Sequence, residues 1–267
     1  MLGKLLKYEL KATARIFLPL YAVLLVFAAI NKLISSLSAT NEFATPEVIS
    51  LIIYITILVG MFIMTYVVMI QRFYKNLLRD EGYLMFTLPT TSWKHIVSKL
   101  LISMMWMVTS GIAAFVSIMI IAFDKIFFTG FWHVMTDAVG NFFRLLDASA
   151  ALFILEMIIA GIVGLASTVL IIYASIAIGH LFNQHRVLVS LGAFLALNTI
   201  SQILFSITGA IPGAIFLPVR ISSINDLQTL QPFFHFMIWY GIVLFGILSA
   251  GYFFITRYIL SKRLNLE

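Results

Sequence analysis

The sequence predicts an all-α integral membrane protein with six transmembrane helices and with its N- and C-termini cytoplasmic. Three observations carry this. First, the 267 residues are 62% hydrophobic and only 10% charged, with a mean hydropathy of +1.06. Soluble domains are closer to half apolar and a quarter charged, and no soluble interior of this size takes up so much apolar surface. Second, six apolar stretches reach the roughly 20 residues that a helix needs to cross a bilayer. Third, Lys and Arg alternate between the two sides of those stretches.

The elements follow in order. Residues 1–14 read as an N-terminal amphipathic elbow helix on the inner leaflet. Leu2, Leu5, Leu6 and Leu10 share one helical face, and Lys4, Lys7 and Lys11 the opposite one, the pattern of an interfacial helix. A basic flank that helps the first span insert is the plainer alternative. Glu9 points into the leucine face, where a carboxylate is costly unless paired. It asks for a protein partner, or for a basic residue elsewhere in the chain.

The spans run from Ile16 to Ile34, Ile49 to Ile70, Leu100 to Phe123, Ala150 to Ile178, Val187 to Ile207 and Phe234 to Ile255. Lipid offers no partner to an open backbone group, so each is a helix. The alternating pattern of a membrane β-barrel is missing. One side receives Lys4, Lys7, Lys11, Arg15, Arg72, Lys75, Arg79, Lys94, Lys99, Arg186, Arg257, Lys262 and Arg263. The other receives only Lys32, Lys125, Arg144 and Arg220, which accounts for all 17. The richer side is the cytoplasmic one. A cleaved signal peptide in place of span one does not fit, because its apolar run exceeds a signal core and five spans would break the alternation.

The net charge of +6 therefore describes topology and implies no nucleic-acid partner. With no cysteine, the chain has neither a disulfide framework nor a thiolate site for metal or catalysis. The whole chain, 1–267, reads as one transmembrane domain.

Residues 71–99 form the longest and most charged cytoplasmic loop. Its first part continues span two toward Asp80. Gly82 interrupts it, since glycine reaches positive φ without a Cβ clash. A short apolar helix from Tyr83 to Leu88 follows, and Pro89 ends it. Thr91 and Ser92 are candidate N-caps for the helix that enters span three. An apolar, aromatic segment with charged shoulders fits a socket on a soluble partner; a loop dipping into lipid is the alternative.

The string Arg79-Asp80-Glu81-Gly82-Tyr83-Leu84-Met85-Phe86-Thr87-Leu88-Pro89, followed by Ser98-Lys99, resembles the coupling loop of ABC-2-type (type-2 exporter) transporter permeases of the bacterial, Firmicutes-like kind. Lys7-Tyr8-Glu9-Leu10-Lys11 is similar to the elbow helix of that family, and Gly179-His180-Leu181-Phe182-Asn183-Gln184-His185-Arg186 to the segment after its fourth span. One departure is Ser92, where the family often has Arg; Lys94 stands nearby. The resemblance implies a multi-pass protein of the bacterial plasma membrane that pairs with a second permease, as a homodimer or heterodimer, and with a cytoplasmic ABC ATPase. Asp80, Glu81, Gly82, Tyr83, Leu84, Phe86, Leu88 and Pro89 would couple to that ATPase, and Glu9 would be a partner contact on the elbow helix. ATP and Mg would bind the partner and no cofactor this chain. The only Gly-Lys pair is Gly3-Lys4, without the upstream glycine of a phosphate-binding loop.

Glu156 is the one ionisable residue well inside a span, and such a residue is a functional candidate. It shares a stripe with Ala160, Gly164 and Thr168, and small residues at that spacing mark helix contacts. A gate or cargo contact competes with a structural pairing to Arg144, Arg220 or a hydroxyl. The segment 208–232, with Gly209, Pro212, Gly213 and Pro218, reads as a re-entrant or outer segment. His180 and His185 lie five apart, without the further ligands of a metal site. Phe127, Phe128, Phe131 and Trp132 read as an interfacial belt.

The expectation is the permease of an ATP-driven exporter, without catalytic residues, that carries a hydrophobic or amphipathic cargo such as a peptide or lipid-like compound. The alternatives are a proton-coupled secondary transporter using Glu156, a membrane-embedded enzyme, and the capture subunit of an importer.

Overall fold

The computed structural model describes residues 2–38, 45–78, 92–122, 125–146, 150–182, 184–216 and 231–262. Among these residues there are seven helices and no strand: α1 (Leu2–Ser38), α2 (Thr45–Leu78), α3 (Ser92–Ile121), α4 (Lys125–Leu146), α5 (Ala150–Gly179), α6 (Arg186–Phe216) and α7 (Gln231–Lys262). All except α4 are long and apolar enough to cross a membrane, and they contain the six expected spans. Large apolar side chains face outward along all six, among them Leu18, Ile52, Ile112, Leu155, Leu195 and Ile247. Such surfaces suit a lipid environment and not water.

The chain divides into two units. The first contains residues 1–75 and 88–134. Here α1 buries Glu9, Thr13, Phe17, Tyr21, Leu24, Ala28 and Asn31, a spacing of three and four that keeps one helical face inward. That face packs closely on α3. Phe17 stacks on Trp106 with ring centroids 4.4 Å apart. Tyr54, Met61 and Val68 of α2 join the same core.

Hydroxyl groups stitch the three helices together. Tyr21 and Thr65 meet Ser110 at 2.8 and 3.0 Å, and Tyr54 meets Ser117 at 2.7 Å. Asn31 donates to Ser50 at 2.9 Å, and Ser35 to Glu47 at 2.9 Å. In a bilayer each such bond contributes on the order of 0.6 kcal/mol and fixes which faces meet.

The second unit contains residues 76–87 and 135–267. Its centre is α5, packed against both α6 and α7. The C-terminal half of α5 is buried almost all round, from Val169 to Ala177. Ser201 and Tyr252 join α6 to α7 at 2.5 Å, and Thr208 with Tyr240 makes a second link.

Three features differ from the sequence reading. Residues 125–146 form a helix, α4, where only a loop with an aromatic belt was expected. Its apolar residues recur at helical spacing (Phe128, Phe131, Met135, Val139, Phe143), and that signal was readable. Phe131 of the belt is half-buried and Trp132 exposed; the side chains of Phe127 and Phe128 lie outside the described residues. Next, α1 is one uninterrupted helix of 37 residues, about 55 Å long at about 1.5 Å per residue. The elbow segment is thus continuous with span one. Finally, α6 continues through Gly209, Pro212 and Gly213 to Phe216, although a break was expected there. A helix satisfies its own backbone groups, and lipid makes that gain larger than the cost of one proline. The remainder of 208–232, up to residue 230, lies outside the described residues.

Candidate functional site

Two buried carboxylates organise the chain, one in each unit. Glu9 is 8% exposed. Lys99, itself 4% exposed, donates from Nζ to its Oε1 at 2.6 Å, and Arg72 Nη1 lies 3.8 Å from its Oε2. Thr13, one turn along, donates to the Glu9 carbonyl at 2.8 Å and accepts from Trp106 Nε1 at 2.8 Å. Of the two partners the sequence left open for Glu9, the structure provides the basic residues of its own chain. The carboxylate sits on the leucine face because α3 covers that face and brings Lys99 to it.

Residues 71–78 and 92–99 of the expected loop are helical, as the ends of α2 and α3, so Arg72 and Lys99 lie within those two helices. One carboxylate on the N-terminal helix is therefore paired with a cation from each helix that flanks the segment 79–91. Asp80, Glu81, Gly82, Tyr83, Leu84, Phe86, Leu88 and Pro89 lie outside the described residues.

Glu156 is 6% exposed, on the first third of α5. Its Oε2 is 2.7 Å from His235 Nδ1, and its Oε1 accepts from Trp239 Nε1 at 2.8 Å. Both partners come from α7, four residues apart and so on one face. Phe153 meets the His235 ring edge-on at a centroid distance of 6.0 Å. Of the expected partners, Arg144 is exposed and Arg220 lies outside the described residues, and among the described residues it is an imidazole and an indole, not a hydroxyl, that meet the carboxylate. Among the described residues the small-residue stripe makes no close contact at Gly164 or Thr168, because a Cβ on Gly164 would meet nothing within 4 Å and Thr168 is exposed. The face of α5 toward α7 is set by the Glu156 pairing. A polar pair four apart, at the opening of span six, was the signal for His235 and Trp239 in the sequence.

The turn between α5 and α6 depends on Gly179. A Cβ there would lie 2.8 Å from the Arg186 carbonyl oxygen and would collide with Ser190 Oγ. Within the turn, His185 takes the left-handed conformation at φ 56°, which histidine tolerates better than most residues. Burial and, second, the Arg186 charge hold His180 below the ordinary histidine value of 6.5. Between α5 and α7, at the same end, Ile178, Leu181, Phe254, Ile255, Tyr258 and Ile259 line an open cavity of about 690 Å³.

No protein-family model, curated protein or solved structure matches this chain.

Proposed function

We propose that the chain is the membrane-spanning permease subunit of an ATP-driven ABC exporter in a bacterial plasma membrane, with the ATPase on a separate cytoplasmic chain. The observation that carries this reading is the double clamp on Glu9. A soluble motor acts on a permease by pushing a cytoplasmic segment. The segment 79–89 resembles such a coupling element, and the two helices that flank it, α2 and α3, are tied at Arg72 and Lys99 to the N-terminal helix. Displacement of the loop would reach α1, α2 and α3 together. The composition supports the reading, as does the absence of a phosphate-binding loop. A second permease would complete the path, and α6, with no buried residue from Arg186 to Gly209, offers a surface for it. The cargo is hydrophobic or amphipathic, in keeping with the scarcity of charge within the spans.

The test is co-purification in mild detergent of the wild type, of Glu81→Ala, and of a variant with residues 83–88 replaced by Gly-Ser repeats. An ATPase-sized chain should accompany the wild type and be lost from the loop variants. If none appears, and the purified protein alone moves solute down a proton gradient, a proton-driven carrier replaces this reading.

A further inference from the structure

We propose that Glu156 and His235 form a proton-binding pair in the second unit, joined at Glu156 Oε2 and His235 Nδ1 and able to take up one exchangeable proton. This goes beyond the exporter reading and does not depend on it.

The geometry comes first. Each oxygen of the buried carboxylate faces one ring nitrogen, at 2.7 and 2.8 Å. The indole N–H of Trp239 only donates, so Oε1 is always an acceptor. The other contact is different in kind. An imidazole nitrogen and a carboxylate oxygen can each carry the proton between them, and the contact persists in either arrangement.

Charge decides the occupancy. Glu156 ionised and His235 neutral give a net charge of −1. One added proton brings the pair to zero, whether it rides on the carboxylate or on the imidazole. Unbalanced charge is expensive at membrane depth, so a proton compensates the pair where no other cation is close.

No other cation is close among the described residues of the packed helices. Apart from Glu156, the only titratable side chain of α5 is Tyr173, 17 residues on. The only one of α6 is Arg186, which the turn places beside Gly179. Gly179 is 23 residues from Glu156, about 34 Å along the helix at about 1.5 Å per residue. On α7, the phenols of Tyr240, Tyr252 and Tyr258 carry no positive charge, while Arg257 and Lys262 lie about 33 and 40 Å from His235 by the same rise. Arg144 of α4 is exposed. Among the described residues, the proton is thus the counter-charge that this buried carboxylate has at hand.

Trp239 reports on the site because it donates to the same carboxylate. Glu156→Gln keeps both hydrogen bonds, its carbonyl accepting from Trp239 and its amide donating to His235 Nδ1, so the helices stay paired while the acid is removed. His235→Asn retains a donor near the Nδ1 position. The experiment follows tryptophan emission of the purified full-length protein in lipid nanodiscs from about pH 4 to pH 10, a span that covers ordinary carboxylate and histidine titrations. Circular dichroism checks that each variant keeps its helices.

The wild type should show a titration step that disappears in Trp239→Phe. The step should vanish or move by at least about one pH unit, a tenfold change in proton affinity, in both Glu156→Gln and His235→Asn. In the infrared, a carboxylic-acid or carboxylate band should change across the same step in the wild type and not in Glu156→Gln. A flat wild-type profile, or a step that Glu156→Gln leaves in place, overturns the proposal.

Discussion

Glu9 sits among leucines because Lys99 and Arg72 reach it there, and the interaction has a measurable signature. Removing one member of a buried pair strands the other charge and costs roughly 3–5 kcal/mol, whereas replacing both with apolar residues is often close to neutral. Glu9→Ala should lower the unfolding midpoint in detergent markedly, and Glu9→Leu combined with Lys99→Leu should recover most of the loss. Equal losses in the single and double variants would show that the pair does not act as a unit. His180 supplies a second prediction. Burial and Arg186 favour its neutral form, so the unfolded chain takes up the proton first. The stability contributed by the neutral ring is complete above the ordinary histidine value and is lost as pH falls through the depressed folded value. Unfolding midpoints of the wild type should drop on acidification below about pH 6.5, and His180→Asn should flatten part of that drop.

At the scale of elements, α5 and α6 form a helical hairpin whose closure rests on one missing side chain. Gly179→Ala introduces a Cβ against the Arg186 carbonyl and Ser190. Overpacking of this kind costs typically about 1–3 kcal/mol. The variant should unfold earlier and expose the 179–186 turn to protease, and Ser190→Gly in the same chain should relieve only the side-chain part of the collision. Legibility also varied by element. The six long helices were readable because hydropathy accumulates along a segment regardless of its neighbours. The helix α4 is readable only as a periodicity, because its apolar run is shorter than that of a span. The continuation of α6 past Pro212 departs from the break that Gly209, Pro212 and Gly213 predict, because the demand of lipid for a self-satisfied backbone outweighs local turn chemistry.

For the whole molecule, the distribution of Lys and Arg predicts that the α1–α2, α3–α5 and α6–α7 connections face one side of the membrane and both termini the other. The natural lack of cysteine makes this directly measurable. Single cysteines at Lys32 and Arg144 should react with a membrane-impermeant maleimide in intact cells. Those at Lys75 and Arg257 should react only after permeabilisation. Labelling of Lys75→Cys from outside would overturn the six-span orientation. The two units each keep a buried carboxylate at a helix contact, Glu9 between α1 and α3 and Glu156 between α5 and α7. The sequence pointed to both residues as costly to bury and so in need of partners.

By itself the sequence determined that the chain is helical, that six of its helices are apolar enough to span a membrane, and that two carboxylates lie where solvent does not pay their cost. Those properties depend on residues close together in the chain: a run of some twenty apolar side chains, or an acid on a leucine face. Tertiary structure alone decided who answers the acids. Lys99 stands 90 residues from Glu9, and His235 stands 79 from Glu156. Which helix meets which, and in what rotation, is set by the summed packing of whole faces. No local pattern encodes that sum, so the sequence suggests arginines near the ends of the spans or a hydroxyl for Glu156, and not the histidine and indole that the fold brings to it.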